Sequence, residues 1–267
     1  ISFVHIFSDD FRPLVLQSII DEYNEANSGV IVTAETAVAD SSYEETFNAA
    51  LRTADQGDAY NIVQVESGLT QQAIDSGYFA PISGVASEEQ LATLDDLLPS
   101  VRGFFDVGED FWAMPWNISN PVMFINRDMF AAAGLDPDSP PRTFAEVTAA
   151  CEALMTAEAL DLQGCINWPM DAWFALQWIA MQGQEYVNND NGRSGRADEV
   201  LFTSDPMLDI ATWWGDLAAN GYYIYDGSTG SGAYNAAGIS FLTGQTAMTI
   251  NSTAGLALFQ QFALFDL

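Results

Sequence analysis

The chain has 267 residues, of which 49% are hydrophobic, a length that suits two lobes of ordinary domain size better than one compact core. Seven Lys+Arg, all of them Arg, against 37 Asp+Glu give a net charge of −30, and a surface of this sign repels nucleic acid and anionic lipid. No apolar run approaches the roughly 18 residues of a membrane span, so we expect a soluble, mature, secreted form.

The first hundred residues alternate short apolar runs with amphipathic segments. Strands are predicted over residues 1–7, 30–35 and 61–65, with a helix after each. This alternation predicts βαβ units, a mainly parallel sheet and an α/β fold class. The first helix carries apolar side chains every fourth residue, which predicts its packing face: Phe11, Val15, Ile19 and Tyr23.

Polar side chains follow these strands, where ligands of parallel sheets bind. They are Ser8, Asp9 and Asp10 after the first strand and Glu66 and Ser67 after the third. Tyr43 stands at the start of the second helix, within reach of the same edge. The residues alone leave two interpretations open for each of these side chains: a helix cap or solvated loop residue, or a ligand contact.

A polar segment with a proline separates two apolar runs near the middle of the chain. The runs are 111–116 and 122–126, and Asn117-Ile118-Ser119-Asn120-Pro121 lies between them. Such a segment is typical of a crossing between strands. We interpret 111–121 as a hinge between a first lobe at 1–110 and a second lobe at 122–260, with 261–267 beginning a return crossover.

Two tryptophans flank the end of a predicted strand in the second lobe. Thr143 and Glu146 have the spacing of a capping box, so a helix is predicted from Thr143, followed by a strand at 163–168. Trp168 ends that strand and Trp173 lies in the first turns of the next helix. Such rings can stack on a sugar or polyol, and the alternative is that both belong to the core.

The last predicted strand, 246–251, is followed by a helix that opens at Ser252 and Thr253. Backbone N–H groups and two hydroxyls at a helix start suit an anion or a hydroxyl-rich ligand. The Gly- and Ser-rich run at 226–238 is interpreted as a loop, and without Lys it is no P-loop. His5 is the sole histidine, which argues against a catalytic triad and against a multi-histidine metal site.

The only cysteines, Cys151 and Cys165, fall on the predicted helix and on the strand after it, so their thiols could meet across the turn. An even count agrees with an oxidising compartment. A disulfide and two buried free thiols both remain open on this basis.

The stretch NISNPVMFINRDMFAAAGLDPDSPPRTFAEV, residues 117–147, resembles the hinge region of the extracellular solute-binding proteins of ABC importers, and most closely their glycerol-3-phosphate-binding branch. The resemblance runs from about residue 1 to 260. It is most specific at 124–137, at the Trp168/Trp173 segment and at 242–255.

The resemblance implies a two-lobed periplasmic-binding-protein fold of type II in a periplasmic or extracellular monomer that needs no cofactor or metal. Its partners would be a small solute and the permease subunits of the importer. It favours the disulfide, and it implies more than a hundred further residues, so we expect this chain to lack the C-terminal part of the fold, with a naturally shorter variant as the alternative. It also implies a cleft lined by these ligand contacts: Tyr43, Glu66, Ser119, Trp168, Trp173, Ser252 and Thr253, with Asn117 and Asn120 near its floor.

The leading hypothesis is therefore a binding protein that closes its two lobes around glycerol-3-phosphate or a glycerophosphodiester, with a neutral sugar or polyol as the alternative solute. A glycosidase-like enzyme is the alternative of another class, because carboxylates and aromatic residues are abundant. An interaction scaffold would leave the matching Trp, Tyr, Glu and Ser positions unexplained. None of the seven arginines is expected on a phosphate, which would instead meet the neutral donors of Ser119, Ser252 and Thr253.

Overall fold

The computed structural model describes residues 1–7, 11–27, 29–36, 42–225, 227–229 and 231–267. The chain divides into two compact units, Ile1–Trp116 and Asn117–Leu267, and this boundary falls within the segment interpreted as a hinge. Ser8, Asp9 and Asp10 lie outside the described residues.

Unit 1 contains a small parallel sheet with helices around it. Its strands are β1 (Ser2–His5), β2 (Thr33–Thr36), β3 (Ile62–Val63), β4 (Asp106–Val107) and β5 (Asp110–Phe111). Its α-helices are α1 (Arg12–Ala26), α2 (Tyr43–Asp55), α3 (Thr70–Ser76), α4 (Ile82–Val85), α5 (Glu88–Ala92) and α6 (Pro99–Phe104), and 3-10 turns span Ser67–Leu69 and Thr93–Asp96. The parallel sheet has the strand order β2-β1-β3, as the βαβ pattern predicts, whereas β4 and β5 pair with each other antiparallel as a separate sheet.

The core beneath α1 forms on a different face from the one predicted. Leu16 and Ile20 are buried and pack with Phe3 and Phe7 of the first strand segment. The predicted face is exposed, with Phe11 at 72%. Both stripes repeat every four residues, so periodicity alone does not decide which one meets the sheet, and the prediction for this helix was wrong.

Unit 2 is built on a mixed sheet. Its strands are β6 (Pro121–Ile125), β7 (Ile166–Asn167) and β8 (Met248–Ser252). Its helices are α7 (Arg127–Ala132), α8 (Phe144–Thr156), α9 (Ala172–Met181), α10 (Asn188–Gly192), α11 (Asp205–Ala219), α12 (Ser231–Leu242) and α13 (Leu256–Phe262), with a 3-10 turn at Thr253–Gly255. The central strand β8 pairs antiparallel with β6 and parallel with β7.

Each face of this sheet packs on a different set of residues. Met248 and Ile250 of β8 face the larger core, which α8, α9 and α11 complete. Phe124 of β6 faces a second cluster with Phe241 of α12 and Phe259 of α13. Because side chains alternate along a strand, Thr249 and Asn251 point to the same face as Phe124, toward α12.

A disulfide joins α8 to the segment before β7. Cys151 and Cys165 have an S–S distance of 2.08 Å and a Cα–Cα distance of 5.1 Å, and both residues are fully buried. This confirms the disulfide prediction, and the bond ties a helix of the larger core to the edge of the sheet.

The Gly- and Ser-rich run was predicted as a loop, but α12 begins within it at Ser231. The small residues serve close packing instead. Ala233 and Ala237 are buried, and a Cβ added at Gly238 would lie 3.2 Å from a ring carbon of Phe259. Small side chains on one helix face thus let α12 approach the second cluster, so the loop prediction was wrong.

Candidate functional site

The predicted ligand residues of unit 2 lie at one edge of its sheet. The carboxyl ends of β7 and β8 are on the same side, because these strands are parallel. The start of the antiparallel strand β6 is on that side too, since Pro121 pairs with Ser252. Ligands of α/β sheets bind at such carboxyl edges, so this edge is the candidate site.

Ser252 and Thr253 leave β8 and turn at once toward the segment before β6. The backbone N–H of Thr253 donates to the carbonyl of Asn120 at 2.9 Å, and the N–H of Asn120 donates to Thr253 Oγ1 at 3.2 Å. The side chain of Ser119, one residue earlier, is half-buried, whereas those of Asn117 and Asn120 are exposed. The two predicted hydroxyl segments are therefore in direct contact.

Two backbone donors that were expected to be free at this helix start are already occupied. The N–H of Thr253 has the Asn120 carbonyl, and the N–H of Ala254 donates to Ser252 Oγ at 3.1 Å. The first turn is a three-residue 3-10 turn rather than the start of a long helix. An anion therefore finds fewer open N–H groups here than the sequence suggested.

Trp173 stands at the start of α9, where it is half-buried and packs against the larger core. Its backbone N–H donates to Oδ1 of Asp171, the residue that caps the helix, at 2.9 Å. Its ring packs edge-on against Phe174, with 5.0 Å between ring centroids. The residue is thus fixed by a cap and a neighbour while part of it remains accessible to solvent, and an aromatic residue in such a position can stack on a solute.

Three residues that the sequence reasoning missed join Trp173 to Ser252. Oδ2 of Asp171 accepts a hydrogen bond from the Tyr234 hydroxyl at 3.1 Å. Asn251, 4% exposed, donates through Nδ2 to the Tyr234 carbonyl at 3.5 Å, and its Oδ1 accepts from the Ser252 N–H at 2.8 Å. A hydrogen-bonded path therefore runs through Trp173, Asp171, Tyr234, Asn251 and Ser252.

Two of these residues carried a signal in the sequence. Asp171 directly precedes the helix that begins at Ala172, which is the pattern of an N-cap. Asn251 is the last predicted strand residue before Ser252. Tyr234 gave no signal, because its segment was interpreted as a loop.

Trp168 is placed differently from Trp173. It is 2% exposed, and its ring stacks on Trp213 with centroids 5.5 Å apart and an interplanar angle of 12°. Trp178 and Tyr223 contact other sides of the ring. This packing counts against contact between Trp168 and a solute, and it follows from the alternation that points Ile166 and Trp168 into the larger core.

Tyr43 and Glu66, the predicted ligand residues of unit 1, lie at the starts of helical segments. Tyr43 is the first residue of α2 and is half-buried. Glu66 caps the following 3-10 turn: Oε2 accepts from the Gly68 N–H and Oε1 accepts from the Ser67 hydroxyl, both at 2.8 Å. Glu66 therefore has the cap role that was one of its two interpretations, and contact with a solute stays a prediction.

Arg127 and Arg102 form ion pairs with acidic residues outside this group. Arg127 binds Asp138 at 2.6 Å and Asp266 at 2.9 Å, and the hydrogen bond to Asp138 raises the pKa of Arg127 above its usual value. Arg102 pairs with Asp95 at 3.0 Å. Within the described parts of the chain, no group of three or more His, Cys, Asp or Glu residues is placed to hold a metal ion.

Comparison with known proteins gives a consistent set of similarities. The family described as bacterial extracellular solute-binding protein matches residues 13–263. The sn-glycerol-3-phosphate-binding periplasmic protein UgpB of Salmonella typhimurium is 25% identical over 256 residues, covering 94% of this chain and 56% of the relative. Its Escherichia coli K12 counterpart is 25% identical over 228 residues, covering 84% and 50%. The chain thus spans about half the length of these relatives.

Solved structures share the fold over the whole chain. The cyclic alpha-maltosyl-1,6-maltose binding protein of Arthrobacter globiformis has a TM-score of 0.76 at 19% identity, covering 100% of this chain and 63% of that one. UgpB of Mycobacterium tuberculosis, solved in complex with glycerophosphocholine, has a TM-score of 0.77 at 17% identity with the same coverage. At these identities the likeness establishes the fold alone.

Proposed function

The chain belongs to the bacterial extracellular solute-binding protein family, and from this premise we propose that it acts in the substrate-binding component of an ABC importer, capturing a small hydroxyl-bearing solute. The family is one of binding proteins rather than enzymes, so the glycosidase-like alternative loses its support. No described helix combines the length and apolarity needed to cross the bilayer. A periplasmic or extracellular location and delivery of the solute to permease subunits are part of this proposal.

The observation that carries the proposal is the hydrogen-bonded path at the sheet edge of unit 2. It sets the half-buried Trp173, the side chains of Tyr234 and Ser252, and the carboxylate of Asp171 on one connected framework. An aromatic face offers apolar contact to the C–H groups of a polyol, while hydroxyl and carboxylate oxygens accept from its O–H groups. A site of this chemistry binds a hydroxyl-rich solute without breaking a bond.

Glycerol-3-phosphate or a glycerophosphodiester is the first candidate solute. Support comes from the relatives at 25% identity, whose names state glycerol-3-phosphate binding. The described part of the chain supplies hydroxyls for the glycerol moiety. We propose that none of the seven arginines of this chain faces the phosphate; Arg127 and Arg102 are engaged by carboxylates, and Arg12 lies over the ring of Phe7.

A neutral sugar or polyol is the second candidate, and two observations favour it. The carboxylate of Asp171 lies in the path and disfavours a phosphate group close to it. The backbone donors of Thr253 and Ala254 are taken by neighbouring oxygens. Inter-lobe closure on either solute remains a prediction of the family resemblance, in which binding shifts an open–closed equilibrium.

Calorimetry with sn-glycerol-3-phosphate, glycerophosphocholine, glycerol and maltose separates these candidates. A saturable heat with a phosphate ester and none with maltose identifies the first class, and the reverse identifies the second. The variant Asp171→Asn sharpens the assignment, because removing the charge should strengthen binding of a phosphate ester relative to maltose. Product formation from any of the four solutes, or heat from none of them, would overturn the proposal.

A further inference from the structure

A cavity of about 490 Å³ lies within unit 2, between the edge strand β7 and helix α12. Its described lining includes Asn167 and Met170 on the strand side and Ala233, Ala236 and Ala237 on the helix side. None of the residues of the hydrogen-bonded path lines it, although Trp168, which follows β7 at the sheet edge, does. Its size is that of pockets that bind small molecules.

Two residues of the lining carry a buried polar atom without a partner: the acceptor Oδ1 of Asn167 and the donor Nε1 of Trp168. Asn167 is 3% exposed; its Nδ2 donates to the carbonyl of Ala237 at 3.1 Å, which fixes the orientation of the amide. Its Oδ1 accepts no hydrogen bond within the described structure. A buried acceptor left without a donor loses its hydration and gains nothing in return, so a donor from a bound molecule would stabilise it.

The neighbouring side chains do not supply that donor. Thr249 is paired with Asn167 in the strand register, yet its own Oγ1 is buried and also has no partner. The hydroxyl of Ser240, on the α12 side, donates to Gln245 Oε1 at 3.3 Å. Asn167 Oδ1 is thus available to accept a hydrogen bond from a molecule bound in the cavity.

The chemistry of the lining limits what can enter. The described lining residues include no Asp, Glu, Lys or Arg, and most of the others are apolar, with Ile239 and Tyr225 half-exposed at the rim. An ion would lose its hydration there without gaining a counter-charge. A molecule with an apolar body and one hydroxyl group can pack against the apolar side chains of the lining and donate a hydrogen bond to Asn167 Oδ1.

We propose that this cavity binds a small neutral alcohol, whose hydroxyl donates to Asn167 Oδ1 while its carbon body packs against the alanines of α12. The inference goes beyond the proposed function, because none of the lining residues belongs to the hydrogen-bonded path.

Cyclohexanol and cyclohexanone are matched probes for this proposal, since they have nearly the same size and only the alcohol can donate. Titration followed by NMR should shift the side-chain amide of Asn167, and cyclohexanol should bind about tenfold more tightly than cyclohexanone. Ala236→Leu, which narrows the cavity and leaves Asn167 intact, should weaken the binding that this shift reports. Thr249→Val, which removes the neighbouring hydroxyl outside the lining, should leave it unchanged.

Equal affinity for the two probes would overturn the assignment of the donor. Absence of any shift up to the solubility limit of cyclohexanol, or an affinity that is unchanged in Ala236→Leu, would overturn the site itself.

Discussion

Removing the disulfide between Cys151 and Cys165 should destabilise unit 2 strongly. The two cysteines are separated by 14 positions, and a closed loop of about 15 residues contributes about 3 kcal/mol in the chain-entropy account of cross-linking. Both residues are fully buried between α8 and the segment before β7, so their replacement also removes packed atoms. We expect the double variant Cys151→Ala/Cys165→Ala to lose about 3–5 kcal/mol of unfolding free energy.

Urea denaturation followed by tryptophan fluorescence measures this loss in the appropriate unit, because five of the seven tryptophans, Trp168, Trp173, Trp178, Trp213 and Trp214, lie in unit 2. The midpoint should fall by about 1–3 M urea at an ordinary slope. A reducing agent should lower the midpoint of the unmodified protein toward that of the variant and leave the variant unaffected. A loss of unfolding free energy below about 1 kcal/mol would refute the argument that the disulfide stabilises unit 2 by reducing the conformational entropy of the unfolded chain.

Three further predictions concern single side chains. Trp173→Ala should weaken solute binding by about 1–3 kcal/mol in calorimetry. Trp168→Phe should lower the free energy of unfolding by about 2 kcal/mol and leave the affinity for the solute unchanged. Weaker binding in Trp168→Phe together with unchanged binding in Trp173→Ala would assign the solute contact to Trp168. Tyr234→Phe removes the hydrogen bond to Asp171 and should weaken binding by about 1 kcal/mol without shifting the unfolding midpoint, so an unchanged affinity would exclude Tyr234 from the site. Burial lowers the pKa of His5, so the stabilising contribution of His5 is complete above about pH 6.5 and is lost as the pH falls through the folded-state pKa. Between pH 7 and pH 5 the urea midpoint of His5→Gln should therefore fall less than that of the unmodified protein. An equal fall in both proteins would contradict this.

Much of the fold followed from local pattern. The parallel pairing of β1 with β2 and β3, the helix that Thr143 caps and the strand that ends at Ser252 all carry strong periodic or capping signals. The packing face of α1 did not follow, because two apolar stripes compete and only the position of the sheet selects Leu16 and Ile20.

Those residues of the candidate site that strand pairing or a helix cap positions could be predicted from the sequence. Ser252, Thr253 and Asn120 meet because two strands pair in register, and Trp173 follows a cap that the sequence marks. Tyr234 was missed because the small residues of its segment are typical of a loop, whereas in the structure they allow α12 to pack closely against Phe259. Only the packed structure shows that Trp168 turns into the core.

Hydrogen–deuterium exchange with and without the solute that gives heat in calorimetry tests the central claim most directly. If the sheet edge of unit 2 holds the solute, backbone amides at 117–121, 171–174, 232–236 and 251–255 should gain protection. The peptides of α10 and its flanks, residues 184–200, serve as the internal control and should not change. Solute-dependent protection confined to other segments of unit 2, with none at these four, would contradict the account.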